Sequence, residues 1–141
     1  MIKSASAVWK GNVKDGTGTI STETGVLREA PYGFKSRFES GKGTNPEELL
    51  GAAHAACFSM ALSMMLGEAG LTPELIKTHA DVTLDKVGAS YQITAIHLTV
   101  TARISGGDGS RFLQIANEAK LGCPLSKVLN ANITMTAKLE A

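Results

Sequence analysis

The sequence predicts an α+β protein: strands, one long helix, strands, a shorter helical region and a last strand. Three observations predict it. A run of some twenty residues after Asn45 is apolar nearly all round, segments of period-two alternation flank it, and a second, amphipathic stripe precedes the C-terminal alternating segment.

Residues 6–10 around Trp9, 16–22 after the Asp15-Gly16 turn signal, and 33–39 after Pro31-Tyr32-Gly33 read as short strands of a meander. The long helix then opens with a full start signal. Asn45 caps it, Pro46 suits the first helical position, and Glu48 stands three after the cap as a capping box requires. Gly67, Gly70 and Pro73 stop it, which makes a rod of about 30 Å. Between Leu49 and Leu66 the clearly polar side chains are His54, Ser59 and Ser63, and they do not gather on one face. Such a helix is expected to be buried nearly all round. One sheet from a chain of this size covers one side, so a second copy of the chain is expected on the other. Gly51, the internal His and Ser residues and the many short Ala side chains argue against a membrane span.

Residues 79–87 alternate Ala80, Val82 and Leu84 against His79, Asp81, Thr83 and Asp85, as a half-buried strand does. Residues 91–104 form a longer one, whose phase slips at Ala95-Ile96 and so predicts a bulge there. Residues 108–121 carry a helical stripe of Phe112, Ile115, Ala116 and Ala119. Gly122-Cys123-Pro124 breaks it and starts a second short helix through Leu125, Val128 and Leu129. Ile133, Met135, Ala137 and Leu139 then mark a strand with one buried face.

With 141 residues, 43% of them hydrophobic, the chain reads as a single domain over 1–141 that buries about 68–70% of its unfolded surface. Two cysteines are then too few to be a scaffold. A net charge of +1 supplies no field for nucleic acid or anionic lipid. The first residues lack the apolar run of a secretory signal, so a reducing cytoplasm is the expected compartment.

The two cysteines occupy different settings. Cys57 lies mid-helix, either as an inert small hydrophobe or as a reactive thiol; Cys123 precedes Pro124 at a helix start, where unpaired N–H groups favour thiolate. No C-x-x-C motif and no zinc spacing is present. His54, three before Cys57, shares its helical face and is either a base or a core histidine. Burial would raise the pKa of a Cys57 thiol, so an active Cys57 needs a cation, and Arg37 between Phe34 and Phe38 is a candidate. Glu48 is a candidate to orient that guanidinium, although a capping box accounts for it equally. Glu48 and Cys57 are nine apart, about 900° of rotation and about 13.5 Å of rise, hence on opposite faces of one helix. If both act at one thiol, Glu48 comes from a second subunit.

The run from Pro31-Tyr32-Gly33-Phe34 through Arg37-Phe38-Glu39, Asn45-Pro46-Glu47-Glu48, His54-Ala55-Ala56-Cys57-Phe58 and Gly122-Cys123-Pro124 resembles the OsmC/Ohr family, and its OsmC branch more than its organic hydroperoxide resistance branch. The resemblance extends over essentially the whole chain. It implies an intertwined homodimer with two long central helices covered by antiparallel-rich β-sheets. It also implies a thiol-dependent peroxidase that reduces organic hydroperoxides to alcohols without metal, flavin or haem, recycled by an external dithiol of lipoyl type. By resemblance, Cys57 is the peroxidatic cysteine, Cys123 the resolving one and Arg37 the arginine that stabilises the thiolate. Glu48 is its acidic partner, in preference to the adjoining Glu47. A pocket near Met60, Met64 and Met65 would suit alkyl or lipid hydroperoxides. The alternative from another class is a noncatalytic, stress-related dimeric binding protein with inert cysteines.

Overall fold

The computed structural model describes residues 1–140, and their elements fall into two compact units, 1–49 and 50 onward, with the boundary inside the long helix. In the first unit, β1 (Ala5–Lys10), β2 (Thr17–Thr22) and β3 (Ala30–Tyr32) form an antiparallel sheet in that order. Asn12 makes the first turn: its Oδ1 accepts from the N–H groups of Lys14 and Asp15, and its carbonyl from Gly16. Trp9, Gly18 and Tyr32 share one rung across the three strands. A Cβ at Gly18 would run into both rings; without it the rings meet over β2 with centroids 5.4 Å apart.

The strand expected over 33–39 is instead a five-residue helix, α1 (Phe34–Phe38), and the strand lies just before it as β3. The reason is local. Ser36 Oγ accepts from the Gly33 N–H at 2.9 Å and donates to the Gly33 carbonyl at 3.0 Å, which folds the backbone into a turn. Phe34 and Phe38, four apart, then stack at 4.9 Å on one side of that turn.

Helix α2 (Pro46–Glu68) begins where the capping signal placed it. Asn45 Oδ1 accepts from the Glu48 N–H at 2.8 Å, while Asn45 Nδ2 donates to the Ser36 carbonyl at 2.9 Å and ties the cap to α1.

In the second unit, β4 (Pro73–Val87) and β5 (Ser90–Ile104) form an antiparallel hairpin, and β6 (Asn132–Glu140) returns parallel to β5 after α3 (Gly109–Gly122) and α4 (Pro124–Val128). β4 starts earlier than the alternation alone indicated. The bulge falls where Thr83 pairs Ala95 and Leu84 pairs Ile93, so Thr94 is the extra residue, one before the predicted slip. Asp108 caps α3 by accepting from the Ser110 N–H.

The core lies between α2, the sheet and α3. Ile96, Leu98, Val100 and Ala102 of the central strand β5 meet Phe58, Leu62 and Leu66 of α2 and Phe112, Ala116 and Ala119 of α3. From residue 50 on, the buried residues of α2 are Gly51, His54, Phe58, Leu62 and Leu66, one stripe at helical spacing. Its opposite stripe, with Ala52, Ala56, Met60, Ser63, Met64 and Gly67, is exposed in one chain. Truncating Phe58 to Ala should cost about 3–5 kcal/mol in a urea unfolding curve, while Asn45→Ala should cost about 0.5–2 kcal/mol through the lost cap.

Candidate active site

Each unit brings together some of the residues expected at the site. In the second, Cys57 on α2 and Cys123 at the start of α4 are both free thiols, near enough for each side chain to act on the other. Cys57 is half-buried and Cys123 fully buried. Burial pushes the Cys57 thiol above its ordinary range. The Leu125 backbone N–H, which donates to it, pulls the other way, and the adjacent Cys123 thiol adds to the upward push.

That N–H corrects one expectation. The first-turn amides of α4 were expected to serve Cys123, yet the Cys123 side chain makes no capping bond and the Leu125 amide is spent on Cys57. Cys123 is at once the C-cap of α3, with its own N–H bonded to the Ala119 carbonyl, and the N-cap of α4, and its sulfur is drawn into the core. The thiol approaching from the neighbouring helix therefore takes the open donor.

His54, one turn before Cys57, is fully buried. Its Nε2 lies 2.8 Å from Ser126 Oγ on α4, and its Nδ1 has no partner. Burial lowers its pKa and so favours the neutral ring. Among the described residues no three His, Cys, Asp or Glu side chains gather as metal ligands.

The first unit holds the arginine cluster. Arg37 on α1 meets Glu47, not Glu48: Nη2 is 2.8 Å and Nε 3.1 Å from Glu47 Oε1, and the guanidinium lies over the Phe38 ring. Glu47 is buried and Glu48 exposed. The expectation that Glu48 orients Arg37 is thus overturned. Glu48 occupies the third helical position, where its amide is committed to Asn45 Oδ1 and its carboxylate lies 3.4 Å from Asn45 Nδ2. One residue earlier, about 100° round the helix, Glu47 faces α1. The cap itself was the available signal, since a glutamate used at the third position leaves its neighbour for other work.

Trp9, Val13, Tyr32, Gly33, Phe34, Arg37 and Phe38 line a pocket of about 280 Å³, the scale of a small-molecule site. Four of the chain's seven aromatic residues stand around one guanidinium. The methionines stand elsewhere: Met60 and Met64 are exposed on α2, Met65 packs against the core, and none of the three lines this pocket. Ser126, the Leu125 amide and this aromatic wall were missed by sequence reasoning because each joins segments distant along the chain.

Two outcomes follow from the geometry. Diamide should link Cys57 to Cys123 within one chain, giving no covalent dimer on a non-reducing gel and a two-hydrogen mass loss. Below pH 6.5 the unfolded chain binds a proton on His54 that the folded chain refuses. The stability contributed by His54 is therefore complete above 6.5 and falls as the pH drops below it, and His54→Gln should flatten that limb of a urea-midpoint profile.

Comparison with known proteins places this geometry in context. Residues 39–138 match the family described as OsmC-like protein. The chain is 58% identical over 139 residues to peroxiredoxin OsmC of Escherichia coli K12, covering 99% of this chain and 97% of that one. It is 33% identical over 102 residues to an organic hydroperoxide resistance protein-like protein of Staphylococcus aureus, covering 67% and 68% of the two chains. Among solved structures, organic hydroperoxide resistance protein OhrB of Bacillus subtilis aligns with a TM-score of 0.68 at 25% identity over 97% of this chain and 98% of that one. An OsmC-like protein of unknown function from Vibrio cholerae aligns with a TM-score of 0.77 at 14% identity over 97% and 99%, a likeness of fold.

Proposed function

Because this chain belongs to the OsmC-like family, we propose that it is a thiol-dependent peroxidase that reduces organic hydroperoxides to alcohols. The observation that carries this reading is the pair of neighbouring free thiols, one of them receiving a backbone N–H. Cys57 thiolate attacks the distal oxygen of ROOH, the O–O bond breaks, and RO⁻ leaves and takes a proton to become the alcohol. The Cys123 sulfur then attacks the Cys57 sulfenic acid, forming the disulfide and releasing water. An external dithiol of lipoyl type reduces the disulfide by exchange. Atoms and charge balance with no metal or organic cofactor.

Burial raises the Cys57 pKa, so catalysis needs a cation at the sulfur. Arg37, braced by Glu47, is that cation in our reading, and the aromatic pocket beside it receives the organic group of the hydroperoxide. Glu47 and Cys57 stand ten residues apart on α2, about 15 Å of rise. That separation supports a guanidinium delivered to the thiol of a second copy. The exposed apolar stripe of α2, with Met60 and Met64, is the face on which two copies would pack as a homodimer. Residues 1–141 then act as one OsmC-like domain whose sites are completed by the partner, in the cytoplasm.

Substoichiometric cumene hydroperoxide should consume two thiols per hydroperoxide reduced; survival of both thiols would sink the enzyme reading. Arg37→Leu should lower kcat/KM about 10²–10³-fold and Glu47→Ala about 10²-fold, whereas Glu48→Ala should affect mainly stability. Mixed dimers of Glu47→Ala and Cys57→Ser subunits should regain activity, and demonstrated heterodimers without any rescue would remove the shared site.

A further inference from the structure

His54 and Ser126 take no part in the electron flow above, yet they join the two elements that carry it. Helix α4 is five residues long and none of its residues is fully buried, so apolar packing alone grips it weakly. Its cap is Cys123, its first turn supplies the Leu125 N–H to Cys57, and the next residue, Ser126, places its hydroxyl 2.8 Å from His54 Nε2. His54 is fully buried on α2, one turn from Cys57.

The orphan Nδ1 indicates how the ring is protonated. A buried N–H without an acceptor is rarer and costlier than a buried lone pair without a donor. With Nδ1 unpartnered, the proton belongs on Nε2, and the ring donates to Ser126 Oγ.

We propose that His54 and Ser126 are positioning residues whose hydrogen bond clasps α4 to α2, holding the Leu125 amide on the Cys57 sulfur and Cys123 beside it. Two consequences follow. The clasp favours the Cys57 thiolate, because the amide that stabilises it is mounted on the clasped helix. It also sets the competition after the first step: with α4 held, Cys123 reaches the Cys57 sulfenic acid; with α4 loosened, a second ROOH oxidises that sulfenic acid to sulfinic acid and leaves as ROH. The second consequence rests on the peroxidase reading, whereas the first does not.

The test uses the full chain with Ser126→Ala, and Ser126→Thr as the variant that restores the hydroxyl. His54→Leu and His54→Gln form a second pair, since glutamine replaces the donor at a similar reach. Circular dichroism establishes folding, mass spectrometry follows iodoacetamide alkylation of Cys57 across pH, and a single turnover with cumene hydroperoxide gives the ratio of disulfide to sulfinic acid. Ser126→Ala should slow alkylation about three- to tenfold below the midpoint, move the midpoint upward and increase sulfinic acid, and Ser126→Thr should reverse all three. A folded Ser126→Ala protein with native alkylation profile and native disulfide yield would overturn the clasp, as would failure of Thr to restore what Ala removes. If His54→Leu does not fold, the Ser126 pair decides. Should the native protein leave hydroperoxide intact while the alkylation shift persists, the peroxidase reading falls and the clasp stands; consumption of hydroperoxide with no alkylation shift gives the reverse.

Discussion

The packing of one stripe of α2 on the β4-β5-β6 sheet governs the second unit. Phe58, Leu62 and Leu66 fix the rotation of the helix against Ile96, Leu98 and Val100, and the same rotation fixes where His54 and Cys57 emerge. Gly51 lets the helix come close: a Cβ there would stand 3.3 Å from Val82. A helix seated this way leaves its other stripe of short side chains and methionines without cover in a single chain. The exposed face and the half-buried Cys57 thiol are two results of one rotational setting, so a substitution that turned the helix would disturb both.

Burial also creates the chemical problem that the surrounding groups address. A thiol beside a core resists ionisation, and a neighbouring second thiol makes it resist further. The Leu125 amide is the opposing influence within the chain, and it is available because a first-turn N–H has no acceptor within its own helix and the Cys123 side chain does not cap it. The guanidinium of Arg37 meets a different constraint. Held on two nitrogens by a buried carboxylate and backed by Phe38, it loses little further freedom when an anion arrives, which suits it to orient a reacting group. The first unit thus holds a rigid aromatic wall, with Trp9 and Tyr32 meeting over Gly18, and the second holds two neighbouring free thiols.

Much of this was legible along the chain. Strand alternation in β4, β5 and β6 followed period two because each strand buries one face, and the α2 start was legible because Asn45, Pro46 and Glu48 act within four residues of one another. The cysteines and Arg37 were identifiable from their residue types and their motif context. The segment around Arg37 misled because Phe34, Ser36 and Phe38 alternate as a strand would, while the deciding bond, Ser36 to the Gly33 backbone, turns it into a helix. Glu47 and Glu48 are chemically identical neighbours, and nothing in composition separates them.

What the amino-acid order settled, then, are features whose causes lie within a few residues: the elements apart from the 33–39 segment, their caps, the bulge region and the presence of two unlike thiols. Three-dimensional packing settled which groups meet across long separations. It gave Arg37 to Glu47, the α4 amide to Cys57 instead of Cys123, and Ser126 to His54, 72 residues away. The physical reason is that caps and periodicity act through local backbone geometry, whereas a side-chain pair depends on the rotation of whole helices. That rotation is set by the summed packing of the core, which no single stretch of sequence contains.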